Sequence, residues 1–275
     1  MKSTLTYGPV KSIDSRQNPI VRNYRALADE PDASGLRLLL DGAHLVREAH
    51  DTGMPLESVV IAASHLAAGT EEAQLAAHLD RDGVDVVSAS SQAFDAISPV
   101  RTPSGIVAIA HRHPTTPEAI FEQARLFALV VVDVQDPGNV GSLLRVAEAG
   151  GITGVIVAGN SANPVSWKAV RGSMGSILRL PVARAASIDA VMNDIARTET
   201  IAVAAVPRDG WDPDAVDWSG RIALLLGGEG PGLPANVIAA ANQRVSVPME
   251  APVESLNVAA SAAIVIYAAR RARSR

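Results

Sequence analysis

Residues 126–132 read Leu126-Phe127-Ala128-Leu129-Val130-Val131-Val132, an apolar run with no polar interruption. A strand with one solvated face alternates apolar and polar residues. A run that is apolar at every position has to be covered on both faces, which is the situation of a central strand in a parallel sheet flanked by helices. Runs of the same kind predict further strands at 154–158, 201–205 and 222–226, and a shorter one is predicted at 244–247. Helices are predicted between them at 140–149, 187–196 and 258–271, the first stopped by Gly150-Gly151. The chain is 48% hydrophobic and only 3% aromatic, so aliphatic side chains must fill the core, as in layered α/β folds.

The first half alternates in the same way. Strands are predicted at 36–40, 58–62, 84–88 and 106–110, with helices at 43–52 and 71–80. His113-Pro114-Thr115-Thr116-Pro117 interrupts the pattern, because proline fixes φ and removes a backbone donor. The expected organisation is an α/β domain over 1–110, a linker with a short helical piece over 111–125, and a second α/β domain with a parallel sheet over 126–275.

Several function classes fall away. With no cysteine, disulfides, thiolate metal sites and thiol nucleophiles are excluded. Of six histidines only His111 and His113 are close in sequence. They read as linker, so no metal site is expected from ligand spacing. Residues 1–10 have no apolar core of the signal-peptide kind, and 258–269 is too short to span a bilayer, so a cytoplasmic protein with no membrane partner is expected. The formal net charge of -5 argues weakly against nucleic acid. Distribution matters more than the sum. Lys2, Lys11, Arg16, Arg22 and Arg25 face only Asp14 in the first 25 residues, and Arg270, Arg271, Arg273 and Arg275 close the chain. Either end is a candidate phosphate contact or simply solvated surface.

Three loops of the second half combine chemistry-bearing residues, and each follows a predicted strand, where ligands gather in open parallel sheets. Asn139-Val140-Gly141-Ser142 opens the 140–149 helix, with Arg145 one and a half turns on. By itself this reads as a capped helix bearing a surface arginine. Gly227-Gly228-Glu229-Gly230-Pro231-Gly232-Leu233 places four glycines after an apolar strand, which lets backbone approach a ligand. It has no Gly-Lys-Ser/Thr ending, and Leu233 stands where the last glycine of a dinucleotide fingerprint would fall. Val247-Pro248-Met249 and Ser255-Leu256-Asn257 precede a helix rich in alanine; Ser255 and Asn257 are also ordinary cap residues.

In order and spacing these loops resemble the three signature motifs of the SpoU/TrmH family of RNA 2'-O-ribose methyltransferases, within the SPOUT superfamily, over roughly 126–270. The first half is similar to that family's substrate-binding domain, which looks like certain RNA-binding ribosomal proteins. It carries Ser15-Arg16-Gln17-Asn18-Pro19, Leu40-Asp41-Gly42 and Arg101-Thr102-Pro103-Ser104-Gly105, with Asp41 in place of the family's usual glutamate. The resemblance implies a deep trefoil knot in the second domain, an exception to the rule against threaded chains, and a homodimer with the active site completed across the interface.

It also implies S-adenosylmethionine as cofactor, with methyl transfer to a ribose 2'-hydroxyl. The cofactor would lie against Ala205, Val206, Gly227, Gly228, Glu229, Gly230, Val247, Met249, Leu256 and Asn257. Arg145 would be catalytic, with Asn139, Glu229, Ser255 and Asn257 positioning it and the ribose. Arginine stays protonated at ordinary pH, so an electrostatic role fits it better than that of a base. Arg16, Asn18, Arg22, Arg25 and Arg37 are the candidate RNA contacts. Large-subunit ribosomal RNA is the expected substrate; transfer RNA and a non-catalytic RNA-binding relative are the alternatives. A nucleotide-dependent α/β enzyme is disfavoured by the missing lysine after the glycine loop.

Overall fold

The computed structural model describes residues 11–67, 69–100 and 102–274, so Lys2, Arg101 and Arg275 lie outside the described residues. The chain divides into two compact units. The first comprises Met1–His113 with Val165–Arg171, and the second Pro114–Pro164 with Gly172–Arg275.

The first unit runs β1 (Ser12–Ile13), α1 (Pro19–Asp29), β2 (Arg37–Asp41), α2 (Ala43–Asp51), β3 (Leu56–Ala62), α3 (Glu71–Arg81), β4 (Val86–Ala89), α4 (Ser91–Ile97) and β5 (Ile106–His111). Its sheet has the order β1-β4-β3-β5-β2. β1, β4 and β3 pair in parallel, while β5 runs antiparallel to both β3 and β2. α1 was not anticipated from the sequence. Asn18 caps it, Pro19 occupies its first turn, and Val21, Tyr24 and Leu27 are its buried stripe.

The second unit contains α5 (Pro117–Phe121), β6 (Phe127–Val132), α6 (Pro137–Gly150), β7 (Gly154–Ala158), α8 (Ser176–Arg179), β8 (Val182–Arg184), α9 (Ile188–Arg197), β9 (Ile201–Ala205), β10 (Ile222–Gly227), α10 (Ala235–Ala240), β11 (Gln243–Val245) and α11 (Val258–Arg273); α7 (Trp167–Gly172) falls across the division. Its sheet, β11-β9-β10-β6-β7-β8, is parallel throughout. Every residue of β6 and β7 is buried, which is why those segments show no alternation. Ile120 and Phe121 of α5 are fully buried in this unit's core. The second part of the 111–125 segment is therefore a packed layer and not linker.

From β6 the sheet grows outward through β7 and β8, then resumes on the other side of β6 with β10, β9 and β11. The strand ends on that second side make the kind of crevice in which open α/β sheets bind ligands. α11 packs on α6 closely enough that a β-carbon at Gly150 would collide with the Ile266 side chain. Its alanines permit that approach, with Ala262, Ala268 and Ala269 buried.

Arg270, Arg271 and Arg273 each make a hydrogen bond within the second unit. Arg270 Nη1 donates to the carbonyl of Ala149 at 2.8 Å, and Arg271 Nη2 to Asp214 Oδ1 at 2.7 Å. Arg273 Nη1 donates to the carbonyls of Trp218 and Gly220 at 2.6 and 3.0 Å, and its guanidinium lies 5.1 Å from the centre of the Phe127 ring. All three remain exposed while making these bonds within the second unit.

Leu225 is fully buried in the central strand β10. Leu225→Ala is expected to destabilise the second unit by about 2–5 kcal/mol, measured by chemical denaturation. A loss below about 1 kcal/mol would show that β10 does not carry the core.

Candidate active site

The three loops singled out in the sequence converge at the carboxyl ends of β6, β10 and β11. Gly227 pairs with Val132, so β10 and β6 end at one level. Immediately beyond, the α-carbon of Gly228 lies so close to the carbonyl of Asp133 that a β-carbon there would overlap it. Asp133 itself adopts φ 56°, with its Oδ1 accepting the Asn160 N–H at 2.7 Å. The loop then curls back: the Gly232 N–H donates to the Gly228 carbonyl at 3.2 Å, through Gly230 at φ 96°. The glycine run thus has a physical reason, one position for close approach and another for a left-handed turn.

This turn presents Glu229 to two amides. Asn139 Nδ2 donates to Glu229 Oε1 at 2.8 Å, and Asn257 Nδ2 donates to the same oxygen at 3.3 Å and to Asn139 Oδ1 at 3.0 Å. One carboxylate oxygen therefore joins the start of α6, the glycine loop and the start of α11. Asn257 also caps α11, its Oδ1 accepting from the N–H groups of Ala259 and Ala260. Asn139 is not a cap. Asp136 fills that role for α6, accepting the Asn139 N–H at 2.9 Å, and Pro137 begins the helix three residues before the expected start at 140.

Beside this cluster lies a cavity of about 200 Å³. Ala205 and Val206 at the end of β9 line it, as do Gly227, Gly228, Glu229 and Gly230 of the glycine loop. Val247, Met249, Ser255 and Leu256 close it from the segment after β11. Ser261 and Val265, one and two turns along α11 from Asn257, form part of the wall and were missed; their i, i+4 spacing is the signal that would have found them. Glu229 is the sole charged residue among the lining residues, and no Lys, Arg or His joins it. Asn257 stands at the cluster but not on the lining. Arg145 does not line the cavity either. It is exposed on α6 and makes no hydrogen bond or ion pair with the described residues.

The basic candidates of the first unit separate into two kinds. Arg16, Arg22 and Arg25 are exposed, the last two on the face of α1 opposite its buried stripe. Among the described residues Arg16 reaches only the Gln92 carbonyl, at 3.4 Å. Asn18 is the α1 cap, so its Oδ1 is occupied by the Ile20 N–H. Arg37 is corrected from phosphate contact to structural tie. Its Nε and Nη2 donate to the two carboxylate oxygens of Glu57 at 2.9 and 2.8 Å, and Nη2 also donates to Asn23 Oδ1 at 2.9 Å. Burial would raise the Glu57 carboxyl, but hydrogen bonds from Arg37, His111 and Asn23 outweigh it and hold the group below its ordinary value of 4.5.

Comparison with known proteins gives the following. Residues 126–267 match the model of the SpoU rRNA Methylase family, and residues 18–108 match an MRM3-like substrate binding domain. The chain is similar to the 23S rRNA (guanosine(2553)-2'-O)-methyltransferase RlmP of Bacillus subtilis (strain 168), with 28% identity over 94% of this chain and 98% of that protein. It is also similar to the uncharacterized tRNA/rRNA methyltransferase slr1673 of Synechocystis, with 30% identity over 95% and 94%. Among solved structures, the AdoMet-bound rRNA methyltransferase from Sinorhizobium meliloti matches with a TM-score of 0.80 at 28% identity, covering 96% of this chain and 98% of that one.

Two outcomes follow from the geometry. Gly228→Ala forces a β-carbon onto the Asp133 carbonyl and is expected to cost about 1–3 kcal/mol in thermal or chemical denaturation; an unchanged midpoint would mean the loop is not locked there. For Arg37→Ala, a carboxyl held low in the folded state stabilises above its unfolded value and ceases to do so as pH falls through its folded value. The variant should melt below the parent at neutral pH, with the gap narrowing as the medium is acidified past the ordinary carboxylate range. A gap independent of pH would contradict the ion-pair account.

Proposed function

The chain belongs to the SpoU rRNA methylase family, and on that premise we propose that it methylates a ribose 2'-hydroxyl of large-subunit ribosomal RNA, using S-adenosylmethionine. The observation that carries the cofactor is the lining of the cavity. Its walls are backbone and apolar side chains at the ends of parallel strands, with one carboxylate and no cation among the lining residues. A phosphate-bearing nucleotide would call for positive groups there. An adenosyl group with a sulfonium suits backbone donors and acceptors for the adenine, aliphatic contact along Val206, Met249 and Leu256, and an acidic neighbour in Glu229. Gly228, packed against the Asp133 carbonyl, adds no side chain to the space.

When bound, S-adenosylmethionine supplies an already activated methyl group on a good leaving group. The protein's own task is then to align the ribose and to assist loss of the hydroxyl proton. Asn139, Glu229, Ser255 and Asn257 are proposed to position the ribose and Arg145. The Arg145 guanidinium, charged at any ordinary pH, would bind a neighbouring phosphate and stabilise the developing alkoxide. The proposed step uses no metal. The reading includes the trefoil knot and a homodimer with the site completed across the interface, which would account for an essential Arg145 that lies off the cavity lining. It also includes action in the cytoplasm; among the described residues no helix is long and apolar enough to cross a membrane.

RNA affinity is assigned to the first unit, with Arg16, Arg22 and Arg25 as phosphate contacts and Asn18 beside them. Single-stranded loops and junctions fit best, since their riboses are accessible. The match of 18–108 to a substrate-binding domain and the name of the Bacillus subtilis relative favour ribosomal over transfer RNA.

Arg145→Ala is expected to abolish methyl transfer to ribosomal RNA while leaving calorimetric binding of S-adenosylmethionine near wild type. Full transfer activity in that variant would overturn the role of Arg145. Failure of the wild type to bind the cofactor would overturn the enzyme reading itself. Replacing Arg22 and Arg25 by glutamine should lower the slope of log affinity against log salt by about two, as two released counterions require.

A further inference from the structure

Three donor side chains from two helix ends converge on one point of the first unit, away from every residue assigned above. His50 stands in the last turn of α2, His78 in the last turn of α3, and Asp82 caps α3. His50 Nε2 lies 2.8 Å from Asp82 Oδ2, and His78 Nε2 lies 3.7 Å from the same oxygen. The three ligand atoms lie within 4.8 Å of one another, and the imidazole rings meet edge to face with centroids 5.3 Å apart. We propose that His50, His78 and Asp82 form a binding site for a borderline divalent transition metal, zinc being the representative, that pins α2 to α3.

An ordinary ion pair accounts for only part of this arrangement. His50 can hydrogen-bond Asp82, but His78 at 3.7 Å is too far to do so and yet aims its Nε2 at the same oxygen. Metal–ligand distances of about 2.0–2.2 Å put neighbouring tetrahedral donors about 3.4 Å apart, between the two separations seen here, so small side-chain adjustments admit an ion. Two imidazoles and one carboxylate select zinc, nickel, cobalt or copper over magnesium and calcium, which take oxygen ligands.

The electrostatics favour a cation as well. The carboxyl ends of two helices meet at the cluster, each carrying partial negative charge, and the Asp82 carboxylate adds to them. The guanidinium in the last turn of α3, that of Arg81, turns back to the Ala77 carbonyl at 3.2 Å. Ala49 of α2 and Leu79 of α3 are buried, so both helix ends are anchored and the donors are carried on rigid backbone. His78 and Asp82 are about half exposed, which leaves access for the ion and for water in the remaining coordination positions. His50 and His78 are 28 residues apart on separate elements, which is why no spacing motif reveals the site.

The test uses the full chain freed of metal, titrated with zinc by calorimetry and with cobalt by visible absorption. The expected result is one ion per chain, a rise in melting temperature with zinc, and a cobalt spectrum with nitrogen ligation. His50→Ala and His78→Ala should lose all three signals while melting like the parent in chelator, and Asp82→Asn should weaken zinc binding by about tenfold or more. His44→Ala, which alters an exposed histidine outside the cluster, should keep the full response. No binding by the parent at about 1 mM zinc, or an undiminished isotherm in His50→Ala, His78→Ala or Asp82→Asn, overturns the proposed site.

Discussion

Gly228 rests against the backbone carbonyl of Asp133, and the geometry of the candidate site depends on that contact. β6 and β10 end at the same level because Gly227 pairs with Val132. Beyond that pair the two chains must diverge, and the absence of a side chain at Gly228 lets them do so in contact. The glycine loop consequently turns back on itself, and Glu229 projects to Asn139 and Asn257. Hydrogen bonds at so exposed a place are individually worth little, about 1 kcal/mol or less net. Steric register of the backbone sets the position of the three loops; the amide and carboxylate bonds choose their orientation.

Strands with buried interiors are plainly legible in the sequence. The apolar runs at 154–158 and 201–205 coincide with β7 and β9, since a strand covered on both faces leaves an unmistakable trace. β8 is three residues long and α8 four, too short for any periodicity to register. α1 is obscured by Arg22 and Arg25 on its polar face, because only Val21, Tyr24 and Leu27 carry its packing. The antiparallel setting of β5 has no local signature, because direction is decided by partners elsewhere in the chain. Asp136 rather than Asn139 caps α6 because Pro137 is the natural first residue of a helix, a signal present in the sequence.

For the site, residue types and order were legible, and their joining was not. Nothing in the spacing of Asn139, Glu229 and Asn257 announces that all three meet at one oxygen. Charge was the least legible property. Arg37, Arg270, Arg271 and Arg273 look alike in sequence to Arg22 and Arg25, yet the first four donate to carboxylates and carbonyls, whereas Arg22 and Arg25 make no side-chain hydrogen bond or ion pair among the described residues. Counting basic residues therefore overstates the surface available to phosphate, and the exposed face of α1 is where the first unit's available charge concentrates.

The central claim is that the cavity beside the glycine loop serves methyl transfer to a ribose 2'-oxygen. It is tested most directly by incubating the purified protein with methyl-labelled S-adenosylmethionine and unmodified large-subunit ribosomal RNA, then digesting the RNA with alkali. The account predicts label retained in an alkali-resistant dinucleotide, because a methylated 2'-oxygen cannot attack the adjoining phosphate. Label released with ordinary mononucleotides, as a methyl group on a base would give, contradicts it.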